Sequence, residues 1–562
     1  LPKFQEERTV STKLFDLLEQ LIEYGLENNM MHLLDTFVVR NALWRKLGVE
    51  CDLDVLKKTR VTDPRRADVL TSPIEADSMR IYHLLNDITS EAKAQGEKLD
   101  FLYEEEMFQA ELMALLMPRN SEINAIFWSL HKANPVMATE YFYALSNAST
   151  YIRMDRVSKN ISWKSASKFG DLDITINLSK PEKNPKEIEL QKHAKPSVYP
   201  KCLLCVENAG YSGNINHPAR HNHRLVELDL ANEPWYFQYS PYVYYNEHAI
   251  VLCHEHRNMK IDRKTFIRLC DFVDYMPHYF IGSNADLHTV GGSILTHDHY
   301  QAGNYEMPMM RAKTRYRYEP TFAQDVKIDV IEWPLSVLKL VSTNKAAIIN
   351  ASSKILDKWI GYSDETVDLI AHTFERHNTV TPILRKNDDT YEMYLALRNN
   401  RRTVAHPEGL FHPHAEHHHI KRENIGLIEV MGLAVLPARL VTEIDGLIDA
   451  LVEMKRLSGI APLSKIDENV LSTSEELVKH VPWTMSIEDR LLAIINDKNN
   501  DFSGSDSHEF DATKASLLAC FRAQIGLKFG SVLEDAGIYK EDYDGMRRFL
   551  EACEEVDYED RN

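Results

Sequence analysis

GGSILTHDHYQAG, residues 291–303, places His297, His299 and Gln301 at alternate positions behind a turn of small residues, Gly291, Gly292 and Ser293. Alternate residues of an extended strand point to one face. A strand here would hold two imidazoles and an amide side by side, next to a turn that lets a ligand approach the backbone. Working outward, "WYFQYSPYVYYNEHAIVLCHEH" (235–256) is rich in aromatic and β-branched residues and reads as strands. "DRKTFIRLCDFVDYM" (262–276) has helical spacing and separates the two β-rich stretches.

Further strands are expected in "GDLDITINLSK" (170–180), "KIDVIEWPLSVLKLV" (327–341), "NTVTPILRKNDDTYEMYLALRNN" (378–400) and "GLIEVMGLAVL" (426–436), with a helix over 363–376. "LFDLLEQLIEYGLEN" (14–28) and "EEMFQAELMALLM" (105–117) are amphipathic helices, and the chain is helical again after Pro437. The fold class is α+β: a helical region over 1–145, a first β-rich module over 146–330, a second over 331–440 and a helical region over 441–562. A second alternating histidine pair, His412 and His414 in "FHPHAEHHH", hints that the β-rich module is duplicated.

A chain of 562 residues exceeds a single core. Its net charge of −19 argues against nucleic acid or an anionic membrane as partner. No apolar run spans a bilayer, and the first residues lack the apolar core of a signal peptide. Seven cysteines in this length make no disulfide framework, which points to a reducing, cytoplasmic setting. No Walker loop or GxGxxG fingerprint occurs.

"KCLLC" gives Cys202 and Cys205 the spacing of a zinc half-site, a redox pair or two buried thiols. His254 or His256 in "VLCHEHRNMK" offers a third ligand and His297 a fourth. Four protein ligands would close the zinc and make it a structural brace. His299 is then free, and a neutral imidazole oriented at one nitrogen is a nucleophile near pH 7. Gln301 can donate an amide hydrogen to a phosphoryl oxygen without adding charge, and backbone N–H groups of the glycine turn can do the same. An amide at this position cannot relay a proton to water.

With these motifs, "VVRNALWRKLG", "YIRMDRVSKNISW", "CLLCVENAGYSG", "INHPARHNHR", "HNTVTPILRK", "LALRNNRR" and "FHPHAEHHHIKRENIGLIEVMGLAVLPARL" make residues 15–445 resemble the galactose-1-phosphate uridylyltransferases, a branch of the histidine-triad superfamily, and above all their second, longer class, found mainly in Gram-positive bacteria. The resemblance implies duplicated histidine-triad-like modules. It also implies a ping-pong exchange of UMP between UDP-glucose and galactose 1-phosphate through a uridylyl-histidine at His299, in galactose metabolism. Structural zinc on Cys202, Cys205, His256 and His297, and a homodimer, are implied as well. Asn246 and Asn284 become substrate contacts with Gly292 and Ser293. Lys180 and Lys183 stand where the shorter class has phosphate-binding arginines, and Glu429 is a candidate for the hexose hydroxyls. The second metal site of the shorter class lacks a matching glutamate, since Glu306 is too close to His299. His412, His414 and His417 to His419 are left as sugar-phosphate contacts, supporting groups or core. The alternatives are another nucleotidyl-histidine enzyme, such as a dinucleotide phosphorylase or hydrolase, and a non-catalytic zinc-braced binding protein.

Overall fold

The computed structural model describes residues 12–48, 79–179, 189–190, 198–292, 294–458, 462–472, 474–497, 507–540 and 542–555. Lys180, Lys183, Ser293 and Cys51 lie outside the described residues. The strands in chain order are β1 (Ile161–Ser167), β2 (Gly170–Asn177), β3 (Val226–Leu230), β4 (Glu233–Tyr239), β5 (Ala249–Cys253), β6 (Phe280–Gly282) and β7 (His299–Gly303). They continue with β8 (Thr314–Tyr318), β9 (Lys327–Ile331), β10 (Val337–Ser342), β11 (Asn378–Asn387), β12 (Thr390–Asn399) and β13 (Leu433–Pro437).

Ten strands form one sheet in the order β3-β4-β5-β7-β6-β11-β12-β10-β9-β8, and β1-β2-β13 form a second. The large sheet contains the same arrangement twice. In the first half a three-stranded meander, β3-β4-β5, is followed by the helix Arg263–Tyr275, then by β6 at the inner edge, with β7 inserted between β5 and β6. The meander β8-β9-β10, the helix Lys345–Gly361, β11 and the inserted β12 repeat it. The halves join through the antiparallel pairs Ile383–Gly282, Leu384–Ile281 and Arg385–Phe280. The fold is thus α+β with duplicated β-rich modules between helical segments.

Both crossover helices cover one sheet face, over Ile281, Tyr300, Ala302, Leu384, Met393 and Leu395. Asp262 starts the first of them by accepting from the N–H groups of Lys264 and Thr265. The N-terminal helices continue this layer, and Asn124 caps the β3 edge by donating to the Leu225 carbonyl and accepting from the Glu227 N–H. On the opposite face Phe280, Ile383, Tyr394 and Ala396 pack with Ile174, Ile176 and Leu433 of the small sheet and with the helices Arg439–Ser458 and Ser507–Asp535. This second face carries His299 and Gln301.

Two expectations change. Over 363–376 only Glu365–Val367 forms a helical turn. Asp364 caps it through the Thr366 N–H, Asp368 adopts φ 57°, and its left-handed backbone halts propagation. The helix lies earlier, at Lys345–Gly361. The segment 426–436 is also divided: Leu427–Val430 is a helical turn, Gly432 reverses the chain at φ 94°, and only Leu433–Pro437 is strand. Glu429 therefore sits on a helical turn. No helix among the described residues is long and apolar enough to cross a membrane.

Candidate active site

The chain from Cys253 to Gly303 assembles the site around β7. The strand begins at His299, and His297 lies in the bend before it. Same-face alternation therefore holds for His299 and Gln301, whereas His297 turns toward the cysteines. Cys202 Sγ and Cys205 Sγ are 3.5 Å apart, Cys202 Sγ is 3.3 Å from His297 Nδ1, and Cys205 Sγ is 3.2 Å from His256 Nδ1. All four ligand atoms lie within 4.8 Å of one another. A tetrahedral ion with Zn–S near 2.3 Å and Zn–N near 2.0 Å needs ligand atoms about 3.3–3.8 Å apart, so the donor set fits. His254 is outside it, with Nδ1 3.2 Å from the Tyr236 hydroxyl.

Supporting groups hold these ligands. Asn208 Nδ2 donates to the carbonyls of Cys202 and Cys205, each at 2.8 Å, and fixes the loop between them. His297 Nε2 lies 2.9 Å from the Cys253 carbonyl. That acceptor puts the ring proton on Nε2 and leaves the Nδ1 lone pair for a metal. Burial pushes the Cys202 thiol up to about 11, a shift that a coordinated cation reverses.

His299 is buried, with Nδ1 2.8 Å from the carbonyl of His297. The carbonyl can only accept, so Nδ1 carries the proton and Nε2 keeps its lone pair. Burial lowers the His299 pKa to about 4, so the ring is neutral at neutral pH. The backbone of one cluster ligand thus orients the neighbouring imidazole. On the helix face, Tyr300 stacks on Trp235 at 4.8 Å and 9°, which pins the strand register. Asp298 faces Arg257 and Arg268 at 3.5 and 3.6 Å, and burial lifts its carboxyl to about 6 against their pull.

Beside this strand, Asn284 follows β6, and its Oδ1 accepts from the Leu427 N–H at 2.8 Å. A Cβ on Gly292 would stand 2.7 Å from Asn284 Nδ2, and one on Gly291 2.2 Å from the Ala285 carbonyl oxygen. Only glycine lets the turn close on Asn284. The Cβ position of Gly426 is 3.2 Å from Asn284 Oδ1 and 3.3 Å from Glu429 Oε2, so Glu429 joins this group. Lys421 Nζ meets Glu429 Oε1 at 2.9 Å. Burial opposes the Lys421 charge, but Glu429 and Glu423 outweigh it and raise its pKa. Arg398, fully buried on β12, donates to the Ile425 carbonyl and supports the same loop.

The remaining candidates are scattered. Asn246 lies at the far end of β7, donating to Glu247 Oε1 and the Asn304 carbonyl. Glu247 is buried at φ 53° and accepts from the Tyr279 hydroxyl, a packing role. The second histidine pair does not repeat the first: His412 and His414 lie on the loop after β12. β12, in the place of β7, presents Glu392 and Tyr394 on the corresponding face. His414 and His417 meet Asp535 at 3.2 and 3.4 Å. Glu408, His412 and His418 also come together, but Arg422 pairs with Glu408, Asn424 occupies His412 Nε2, and the Pro413 carbonyl lies at His418 Nε2. A cavity of about 310 Å³ next to Tyr242 is lined by Arg153, Arg156, Arg220 and His217, but by none of the expected site residues. Of the expected residues, His299 and Gln301 share β7, and Asn284, Gly292 and Glu429 gather beside that strand. Two neighbours of this group, Lys421 and Arg398, lie in stretches that carry the family resemblance but were not singled out as site residues. The visible cue for Lys421 was a lysine eight residues before Glu429, too loose a spacing to single it out.

The sequence matches the family description "Galactose-1-phosphate uridyl transferase, N-terminal domain" over residues 52–258 and the corresponding C-terminal domain over 272–458. The galactose-1-phosphate uridylyltransferase of Fusobacterium nucleatum is 44% identical over 95% of this chain and 97% of its own length. That of Clostridium perfringens strain 13 is 42% identical over the same shares, and that of Bacillus subtilis 40% over 95% and 96%. Yeast Ap4A phosphorylase Apa2 in complex with Ap4A overlays with a TM-score of 0.30 at 11% identity, over 53% of this chain and 88% of that chain, too loosely to bear on function. Both domain descriptions match in order, and the relatives align from end to end at 40% identity or more. The chain belongs to the galactose-1-phosphate uridylyltransferase family.

Proposed function

We propose that this enzyme exchanges UMP between UDP-glucose and galactose 1-phosphate by a ping-pong route through uridylyl-His299. The observation that carries this reading is the Nδ1–H of His299 held on the His297 carbonyl, which leaves Nε2 as a bare, buried nucleophile. Nε2 attacks the α-phosphorus, a P–N bond forms, and the bridging P–O bond breaks with its electron pair leaving on glucose 1-phosphate. Galactose 1-phosphate then attacks the same phosphorus, and the P–N pair returns to Nε2. No proton moves in either step, so no third histidine is needed. The His297 carbonyl, accepting from the Nδ1–H, would stabilise the positive charge that builds on the ring. Gln301, Asn284 and the turn at Gly292 and Ser293 supply neutral donors for the phosphoryl oxygens. Lys180 and Lys183 would add charge at the phosphates, Glu429 would take hexose hydroxyls, and Asn246 would contact the uridine end.

Zinc on Cys202, Cys205, His256 and His297 would act as a brace, with no open position for substrate. The chelate spacing and the Cys253 carbonyl behind His297 support it. The resemblance supports a homodimer, and six cysteines free of disulfides among the described residues support a cytoplasmic setting.

Incubation with uridine-labelled UDP-glucose should leave an acid-labile uridylyl group on the peptide containing His299. Labelled glucose 1-phosphate should exchange into UDP-glucose without galactose 1-phosphate. His299→Ala should lose both and keep its zinc. A label on His412 or His414, or an exchange that requires galactose 1-phosphate, overturns the assignment.

A further inference from the structure

His248 stands immediately before β5, 3% exposed, and was not among the residues singled out for the site. Its Nδ1 lies 2.6 Å from the Tyr242 carbonyl, which can only accept, so Nδ1 carries a proton. Burial lowers its pKa to about 4, which keeps the ring neutral and leaves Nε2 a bare acceptor. The rings of Tyr244 and Tyr245 flank the imidazole at 5.4 and 4.6 Å and hold its plane. β5 and β7 pair Ile250 with Gln301, which sets His248 one diagonal from Gln301 on the same sheet face, with the amide against the ring. His248 Nε2 and Gln301 Oε1 are both buried, and neither has another hydrogen-bond partner among the described residues.

Two bare acceptors do not face each other in a buried site, because each loses its water for no gain. The amide nitrogen and oxygen of Gln301 are interchangeable in shape, and donor–acceptor complementarity decides between them. We infer that His248 is a positioning residue: its Nε2 accepts one amide N–H of Gln301 and so directs the second N–H at the transferring phosphoryl group. The result is an ordered chain in which His248 donates to the Tyr242 carbonyl, Gln301 donates to His248, and Gln301 also donates to the phosphoryl oxygen. Each link polarises the next. With Gln301 turned the other way, its carbonyl oxygen would lie against the ring lone pair. The inference rests on the uridylyl-transfer reading above.

The test is a double-mutant cycle read by exchange of labelled glucose 1-phosphate into UDP-glucose, using the full-length zinc-loaded enzyme. His248→Phe keeps the ring volume but lacks the acceptor, and should lower kcat for exchange about tenfold or more, with a smaller change in KM. In the Gln301→Ala background the same change should have no further effect, because the amide it orients is gone. His248→Gln, whose carbonyl can accept, should recover part of the loss. Melting temperature and zinc content establish that each variant is folded, and His248→Ala replaces His248→Phe in the cycle if the phenylalanine variant is not. Losses that multiply in the double variant, or a His248→Phe enzyme exchanging at the wild-type rate, overturn the inference. A wild-type enzyme that does not exchange overturns the uridylyl-transfer reading itself, and this one with it.

Discussion

Under the proposed function, the amide of Gln301 favours transfer over hydrolysis, because it cannot relay a proton to water. Gln301→His keeps a polar group of roughly similar size but replaces the fixed amide donor with a proton-relaying ring, so uridylyl transfer should fall by roughly 10²–10³, the usual loss for one preorganised donor. Hydrolysis of UDP-glucose should appear in the same assay, and an unchanged transfer rate would make the amide a bystander. Gly292→Ala tests the other side of the site. Its Cβ would press on Asn284 Nδ2 at 2.7 Å, so activity should fall at least tenfold. The melting temperature should move little, because the displaced atom ends a side chain and is not backbone. The shared strand face of His299 and Gln301 and the approach of Cys202 to Cys205 were legible in the sequence because both follow from local spacing, whereas His256 rather than His254 came only from the resemblance. His248, Lys421 and Arg398 were not legible. Each is brought to the site by pairing or packing with residues distant along the chain, and a single sequence carries no record of such a contact.

β7 is five residues long, and what precedes it holds it in place. His297 faces the cysteines while its carbonyl holds His299, so the candidate metal cluster and the proposed nucleophile are joined through one residue. Cys202→Ser should therefore lower zinc content and thermal stability together, with activity lost through the strand rather than through the phosphate. His254→Ala should keep its zinc, and His256→Ala should not; elemental analysis of the purified variants checks both, and active wild-type enzyme without zinc would exclude the brace. The crossover helix Arg263–Tyr275 was readable from its helical period. The segment 363–376 was misread because its apolar residues serve loop burial: Leu369 and Ala371 are buried without a helix. Arg548, nearly two hundred residues away, takes the Asp364 carboxylate that caps the short turn. Propensity was overridden by a tertiary ion pair.

Across the whole molecule, several histidines are buried in neutral form. Burial holds His223, His248 and His419 down to about 3, 4 and 3. Their folded pKa values are depressed, so their stabilising contribution is complete above the unfolded value of about 6.5 and is lost as pH falls toward the folded values. Each should steepen the loss by up to about 1.4 kcal/mol per pH unit in that window. Denaturant midpoints should thus decline from pH 6.5 to 4.5, and His223→Phe, His248→Phe and His419→Phe combined should flatten the decline; a flat wild-type profile would refute the account. The duplication was only hinted at in sequence, and by the wrong pair. His412 and His414 have the spacing of His297 and His299, whereas the repeated topology lies in strands whose sequences have diverged.

The short edge where β6 meets β11 has a consequence for how such a molecule can change. Two separate identical chains meeting along that edge would inherit every substitution twice, so neither copy could give up its imidazole while the other kept it. In tandem on one polypeptide, the copies answer to selection separately. One half presents His299 on its inserted strand, and the other presents Glu392, locked between Lys339 and Arg385, on the corresponding face. A symmetric framework thereby carries two unlike sets of side chains, and the second half lends Arg398, Lys421 and Glu429 to the neighbourhood of Asn284 in the first.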